Sequence, residues 1–348
     1  MHAEHSAQND ATMREAFDYA FRPLDEGGAG LDFITLSDYV TTSHWDEIGR
    51  HQRDYPGKLV IRSAEVITYR GLTNNHASAR WVDHRTGPVY ERAPDGSLAL
   101  LRAARPPREL FAEVRRRGFT QINHPTIFPP TVPGFARLCR GCAWSYTDEE
   151  TDFSLVDAIE IQTGPAVFGN VQNPFTPTAI AFWEAALAAG HHVAAVGVSD
   201  AHDAGAPDGP TESPIGRATT VVYARELSER GIRAAVRAGH TYVKLLGNDG
   251  PDLRLEARGH GRPKRPAIMG DRVRGGSADL TATVLNVPQD GDPFTLHVMK
   301  DGVDRASVPV TAPTTMHELA GAGPGRYRLE LRRGVIVWAL TTPIWIDP

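Results

Sequence analysis

What most constrains the fold of this chain is a set of short apolar runs that each end in an acid or a histidine. They read LDFITLSDY, KLVIRSAEV, FTQINHP, LVDAIEI and VAAVGVSDAH, and they deliver Asp38, Glu65, His124, Glu160, Asp200 and His202 at or just past their ends. Short apolar runs of this kind fit strands buried on both faces, as in a parallel sheet. They predict strands at 31–36, 59–64, 119–123, 156–161 and 193–198. Helical patterns lie between them: ATMREAFDYAF, the ELFAEVRRRG segment and PTAIAFWEAALAAG, the last two stopped at Gly118 and Gly190. Strand and helix in alternation imply βαβ units. In a barrel of parallel strands the C-terminal strand ends share one mouth. Carboxylates and imidazoles gathered at such a mouth suit divalent metals, and so point to metal-dependent hydrolysis.

ATTVVYA (218–224) reads as a further strand, and ELSERGIRAAVRAGHTYV as a helix stopped at Gly239 and followed by a short strand. Beyond about residue 248 the texture changes to alternating segments such as ADLTATVLNV and FTLHVMKDG, parted by Gly and Pro turns. That pattern predicts a small antiparallel β-sandwich over 249–348, with the boundary near GNDGPD at 247–252. Residues 84–108 read equally as a lid or binding loop and as a solvated insertion. Residues 125–155 follow His124 directly and read as a lid over the mouth.

A chain of 348 residues has room for one large α/β domain and one small one. The net charge of −5 provides no basic field for nucleic acid, and no apolar run reaches the length of a membrane span. Cys139 and Cys142, spaced C-x-x-C, are the only cysteines and read as two bystander thiols in a loop. The N-terminus MHAEHSAQND lacks the regions of a signal peptide, so the expected compartment is the cytoplasm.

At the mouth, Pro125 ends the strand that carries His124. Asp200 and His202 are two residues apart, so an extended backbone points both the same way. They can hold one ion or two adjacent ones, or Asp200 can orient His202. Glu65 ends a buried strand, where bridging two cations would satisfy both oxygens, and His76 in TNNHAS is placed to complete the second ion. Arg217 in PIGRATTVV precedes a strand and suits either a phosphate or carboxylate substrate at the mouth or, equally, a surface salt bridge.

The order of these motifs, an opening histidine pair, Ser-Asp-Tyr, Glu65, His76, Asn-His-Pro, Glu160 and Ser-Asp-Ala-His, resembles the PHP (polymerase and histidinol phosphatase) superfamily, and more finely its CehA/McbA-like branch. The TTPIWI phrase at 341–346 is similar to the end of the β-domain found in that branch. The resemblance implies a distorted (β/α)7 barrel over 1–248 with metals at its mouth. It implies His2, Glu65, His76, His124, Asp200 and His202 as ligands, with Glu65 bridging, Asp38 supporting the site, and no fixed role for Glu160. It also places Met1 inside the family's opening D-x-H-x-H, which leads us to expect an internal methionine of a longer chain and room for a signal peptide upstream. Tyr39 stands where the family has a third-metal histidine, and Ala7 near where it has an aspartate. Those two departures imply two ions (zinc, manganese or iron), with the spacing of His5, Asn9 and Asp10 unsuited to replace the third set. The expected function is metal-dependent hydrolysis of a small phosphoester, with a carboxylester or carbamate as the alternative ester, and a non-catalytic ligand-binding protein as the other class. His202 is the expected proton shuttle, supported by Asp38, while Tyr39 and Arg217 are the expected substrate contacts.

Overall fold

The computed structural model describes residues 1–6, 11–68, 70–139, 141–209, 212–260 and 265–348. Its architecture is mixed α/β. Six strands form the first sheet: β1 (Phe33–Leu36), β2 (Leu59–Thr68), β3 (Gly71–His76), β4 (Phe119–Asn123), β5 (Ala158–Gln162) and β6 (Ala194–Gly197). They lie in chain order and curl into a half-barrel. The expected apolar runs supply five of the six. β3 is the departure from an all-parallel sheet, because it pairs antiparallel with both β2 and β4 while the β1–β2, β4–β5 and β5–β6 pairs are parallel. No apolar run marks it, since its Thr73, Asn74, Asn75 and His76 are polar residues, all of them buried.

Helix α1 (Met13–Phe21) starts at a capping box in which Thr12 and Glu15 satisfy each other's backbone amides. Its apolar stripe of Met13, Phe17 and Phe21 packs on Ile34, Leu36 and Val60. Helix α2 (Trp45–His51) lies beyond β1, and α3 (Pro107–Val114) precedes β4. Helix α4 (Phe175–Ala188) seals the other flank with Trp183 and Leu187 against Ile159 and Ile161. Helix α5 (Glu229–Arg237) is capped by Ser228, whose Oγ accepts from the Gly231 amide at 3.0 Å. Removing that acceptor leaves an orphan donor, so Ser228→Ala should lower unfolding free energy by about 1 kcal/mol in urea titrations, with native circular dichroism retained.

Strands β7 (Thr219–Val222) and β8 (Thr241–Lys244) pair with each other, and β8 continues into β17 (Ile336–Thr341) of the C-terminal antiparallel sheet. Hydrogen bonding therefore crosses the texture change at 247–252. The half-barrel meets this sheet through side chains: Thr220 Oγ1 bridges the amide and carbonyl of Gly197, and Thr241 Oγ1 donates to the Ala195 carbonyl at 2.9 Å. Gly197 is required there, because a Cβ would collide with Val243. The sandwich core is shared by Leu253 and Leu255 of β9 (Asp252–Gly259), Leu280 and Val284 of β12 (Ala278–Leu285), and Leu296 of β13 (Phe294–Lys300) with Leu329 of β16 (Gly325–Arg333). The intervening short strands are β10 (Ala267–Ile268) and β11 (Arg272–Val273), and β14 (Val303–Val310) and β15 (Thr315–Ala322) complete the two layers.

Three local expectations change. Gly190 does close α4 with positive φ, but Gly118 lies beyond the end of α3 and serves instead to let the chain pass close to the His76 carbonyl. Cys139 and Cys142 are joined in a disulfide rather than standing as thiols. The 125–155 segment is only partly a loop over the mouth, because Trp144 and Phe153 are buried in the half-barrel core. Within 84–108 the chain forms a hairpin, Val89–Arg92 against Leu98–Arg102, whose leucines are exposed. No helix among the described residues is long and apolar enough to cross a membrane.

Candidate metal centre

The first residues run alongside the end of β1. The Ser37 amide donates to the Met1 carbonyl at 2.9 Å, and the His2 amide to the Ala201 carbonyl at 3.0 Å. This holds His2 between β1 and the loop after β6, nearly fully buried. Its Nε2 lies 3.1 Å from Glu65 Oε2 and 3.2 Å from Asp200 Oδ1. Glu65 Oε1 accepts from Asn123 Nδ2 at 3.1 Å and faces His124 Nε2 at 3.7 Å. Residues 2, 65, 124 and 200 thus meet at one rim. His202 joins them by stacking on His2, with ring centroids 4.5 Å apart. His2, Asp200 and His202 offer ligand atoms within 4.8 Å of one another.

Asp38 supports rather than touches this cluster. Its Oδ1 accepts from the Ala3 amide at 2.6 Å and from Ser6 Oγ at 2.8 Å. Ser6 has one hydroxyl proton, which goes to Asp38, so its oxygen accepts from the Tyr39 amide and from His2 Nδ1 at 3.3 Å. His2 therefore donates from Nδ1, which leaves Nε2 aimed at the Glu65 and Asp200 carboxylates, where a second proton or a cation offsets their charge. An imidazole held by a carboxylate-anchored partner is the arrangement metal-binding histidines use. Ser6 had no sequence signal. Asn123 did: it lies two residues from Gln121 in a buried strand, so both polar side chains share the inner face.

Glu160 accepts from Gln121 Nε2 at 3.0 Å and from the His124 amide. Burial drives its carboxyl up to about 8; the His124 charge opposes this, while those of Asp200 and Glu65 add to it. Burial pushes His124 down, but Glu65, Glu160 and Asp200 outweigh it and raise the imidazole to about 9. Burial also works against the charges on Glu65 and Asp200. Hydrogen bonding to the rim histidines overcomes it and holds both carboxyls low. His124 and Asp200 both have positive φ, 25° and 52°, a strained backbone for residues with a side chain and one that clusters at functional sites.

Other expected residues fall elsewhere. His76 does not reach the rim: β3 runs the opposite way, so the ring points down the inner face. There Ser63 Oγ meets Nδ1 at 2.7 Å, Nε2 meets Gln121 Oε1 at 3.1 Å, and Phe119 stacks on the ring at 4.4 Å. Arg217 pairs with Asp208 at 2.6 Å instead of lining the mouth. Tyr39 hydrogen-bonds His202 Nε2 through its hydroxyl at 2.8 Å and stacks on His2 at 4.2 Å. Burial and the surrounding carboxylates keep its phenol protonated. His5 belongs to a separate group with Glu4 and Glu47. Ala7, Asn9 and Asp10 lie outside the described residues.

The residues present fit a metal. A buried carboxylate, Glu65, and a partly exposed one, Asp200, converge on one imidazole, and Nδ1 of both His124 and His202 is buried without a hydrogen-bond partner among the described residues. Below the rim lies a cavity of about 130 Å³ lined by Thr35, Asn74, Gln121, Asn123, Glu160 and Asp200 among others, with no lysine or arginine among the described lining residues. No protein-family model, curated protein or solved structure matches the chain.

Proposed function

We propose that the chain is a metal-dependent hydrolase of ester bonds, built on a PHP-type barrel, with two divalent ions held at this rim by His2, Glu65, His124, Asp200 and His202. The observation that carries the reading is His2 Nε2 seated between the carboxylates of Glu65 and Asp200, three residues from distant parts of the chain. Buried carboxylates in such number need a cation to offset their desolvation. Bound divalent ions supply a nucleophilic hydroxide near neutral pH and polarise the ester oxygen. The chain's own groups do the rest. Glu65 lies between His2 and His124 and fixes their spacing. The Asp38–Ser6 pair fixes the protonation of His2. His202 and the neutral Tyr39 phenol form a hydrogen-bonded pair beside the cluster, able to hold and return a proton. Tyr39 standing where a third ion's histidine would be is consistent with two ions.

The first substrate class is a phosphoester. One observation favours the second reading, an uncharged carboxylester or carbamate: Arg217 is engaged by Asp208, and no lysine or arginine lines the cavity among the described residues. The test is metal analysis of the full chain after chelation and reloading with zinc, manganese or iron(II), with turnover of nitrophenyl phosphate against nitrophenyl acetate. About two ions per chain and metal-dependent turnover of either ester support the proposal, and the preferred ester identifies the class. A chain that retains no ions overturns it, and one that binds ions without turning over either ester is a binding protein.

A further inference from the structure

A second site of opposite charge lies where the sandwich meets β7 and β8. It is an open groove of about 850 Å³, a size that accommodates a mononucleotide. Arg225, Arg254, Arg265, Arg272 and Arg274 line it, against two carboxylates, Glu256 and Asp271. None of these residues belongs to the rim cluster.

The pairing within the groove leaves an excess. Arg254 is matched by Glu256 at 2.7 Å, Arg272 by Asp347 at 2.9 Å, and Asp271 is taken by His240 at 2.9 Å. Arg225, Arg265 and Arg274 have no side-chain hydrogen bond or ion pair among the described residues. Three unmatched guanidiniums along one concavity, in a chain of net charge −5, are a local reversal of the overall field. Concave walls of one charge sign concentrate counter-ions, and guanidinium groups match phosphate oxygens in forked geometry. Tyr223, which is 39% exposed, lines the same groove.

We propose that this groove binds a ligand with clustered phosphates, of nucleoside polyphosphate size. The phosphates lie on Arg225, Arg265 and Arg274, and Tyr223 offers a platform for a base. The site is independent of the rim and of any metal there.

The probes are inorganic tripolyphosphate and ATP, titrated calorimetrically into the full chain in excess EDTA so that no divalent ion contributes. Saturable binding that weakens with added salt is expected for both. The double variant Arg225→Gln/Arg274→Gln should weaken it by about tenfold or more, with unchanged circular dichroism. Asp200→Asn, at the rim, should leave it unchanged. Tighter binding of ATP that falls to the tripolyphosphate level in Tyr223→Ala assigns a nucleotide; equal binding of the two assigns a phosphate chain alone. Absence of saturable binding, equal binding by the folded double variant, or loss of binding in folded Asp200→Asn overturns the proposal.

Discussion

Glu65→Gln is expected to empty the rim of divalent metal and to lower kcat/KM by more than the ~10–100-fold typical when only a hydrogen-bond partner of a ligand is lost. Glu65 faces two of the three rim histidines, His2 with one oxygen and His124 with the other. A glutamine keeps the volume but carries no charge, and its amide nitrogen replaces one of the two oxygens that face His2 and His124. The metal-free variant is expected to lose stability as well. In the folded chain His2 and His124 are both pushed toward the charged form by their carboxylates. Removing one partner of a buried ion pair costs about 3–5 kcal/mol. Elemental analysis, ester turnover and urea midpoints report the three effects separately. Unchanged metal content together with unchanged turnover would remove Glu65, and the proposed centre with it, from consideration.

The second large effect is an acid sensitivity carried by His76. Burial lowers its imidazole to about 3, with Gln121 only partly opposing. The unfolded chain takes up that proton near its ordinary value of about 6.5, so between pH 6.5 and 3 the unfolded state binds one more proton than the folded one. The stability that a neutral His76 contributes is whole above pH 6.5 and is lost progressively as pH falls toward 3, on the order of 4 kcal/mol across the window. His76→Gln, which keeps a polar group beside Ser63 and Gln121, should flatten the slope of unfolding free energy against pH by up to one proton between pH 6.5 and 4. It should leave the bound metal in place. Loss of metal in this variant would return His76 to the ligand set that the family resemblance implied for it.

The contrast between His76 and its neighbours shows how far the chain can be read without its fold. His124, Asp200 and Glu65 were legible because each ends an apolar run, and parallel strands carry their ends to the same rim. β3 offered no such mark. It is buried along its whole length, and Thr73, Asn74, Asn75 and His76 put polar side chains on both faces, so an apolar pattern is absent, and its direction is set by the tight connection from β2. The same reversal moved His76 from the rim to the inner wall. Ser6 was illegible for a related reason: its role depends on being delivered beside Asp38, which lies 32 residues away. Arg217 was legible only as a cation near a strand, and its choice of Asp208 over the mouth is a matter of loop conformation.

Local chemistry alone settled much of this protein. Side-chain periodicity set which segments become strands or helices, capping residues such as Thr12 and Ser228 opened two of the helices, and acids and imidazoles fell at strand ends, because such preferences act over one or two turns of backbone. Tertiary structure decided the pairing of β3 with β4, the continuity of β8 with the C-terminal sheet, and the meeting of His2 with Glu65 and Asp200. Those outcomes depend on contacts between residues far apart in the chain, whose cost is loop closure and whose gain is shared burial, and no local pattern encodes that balance.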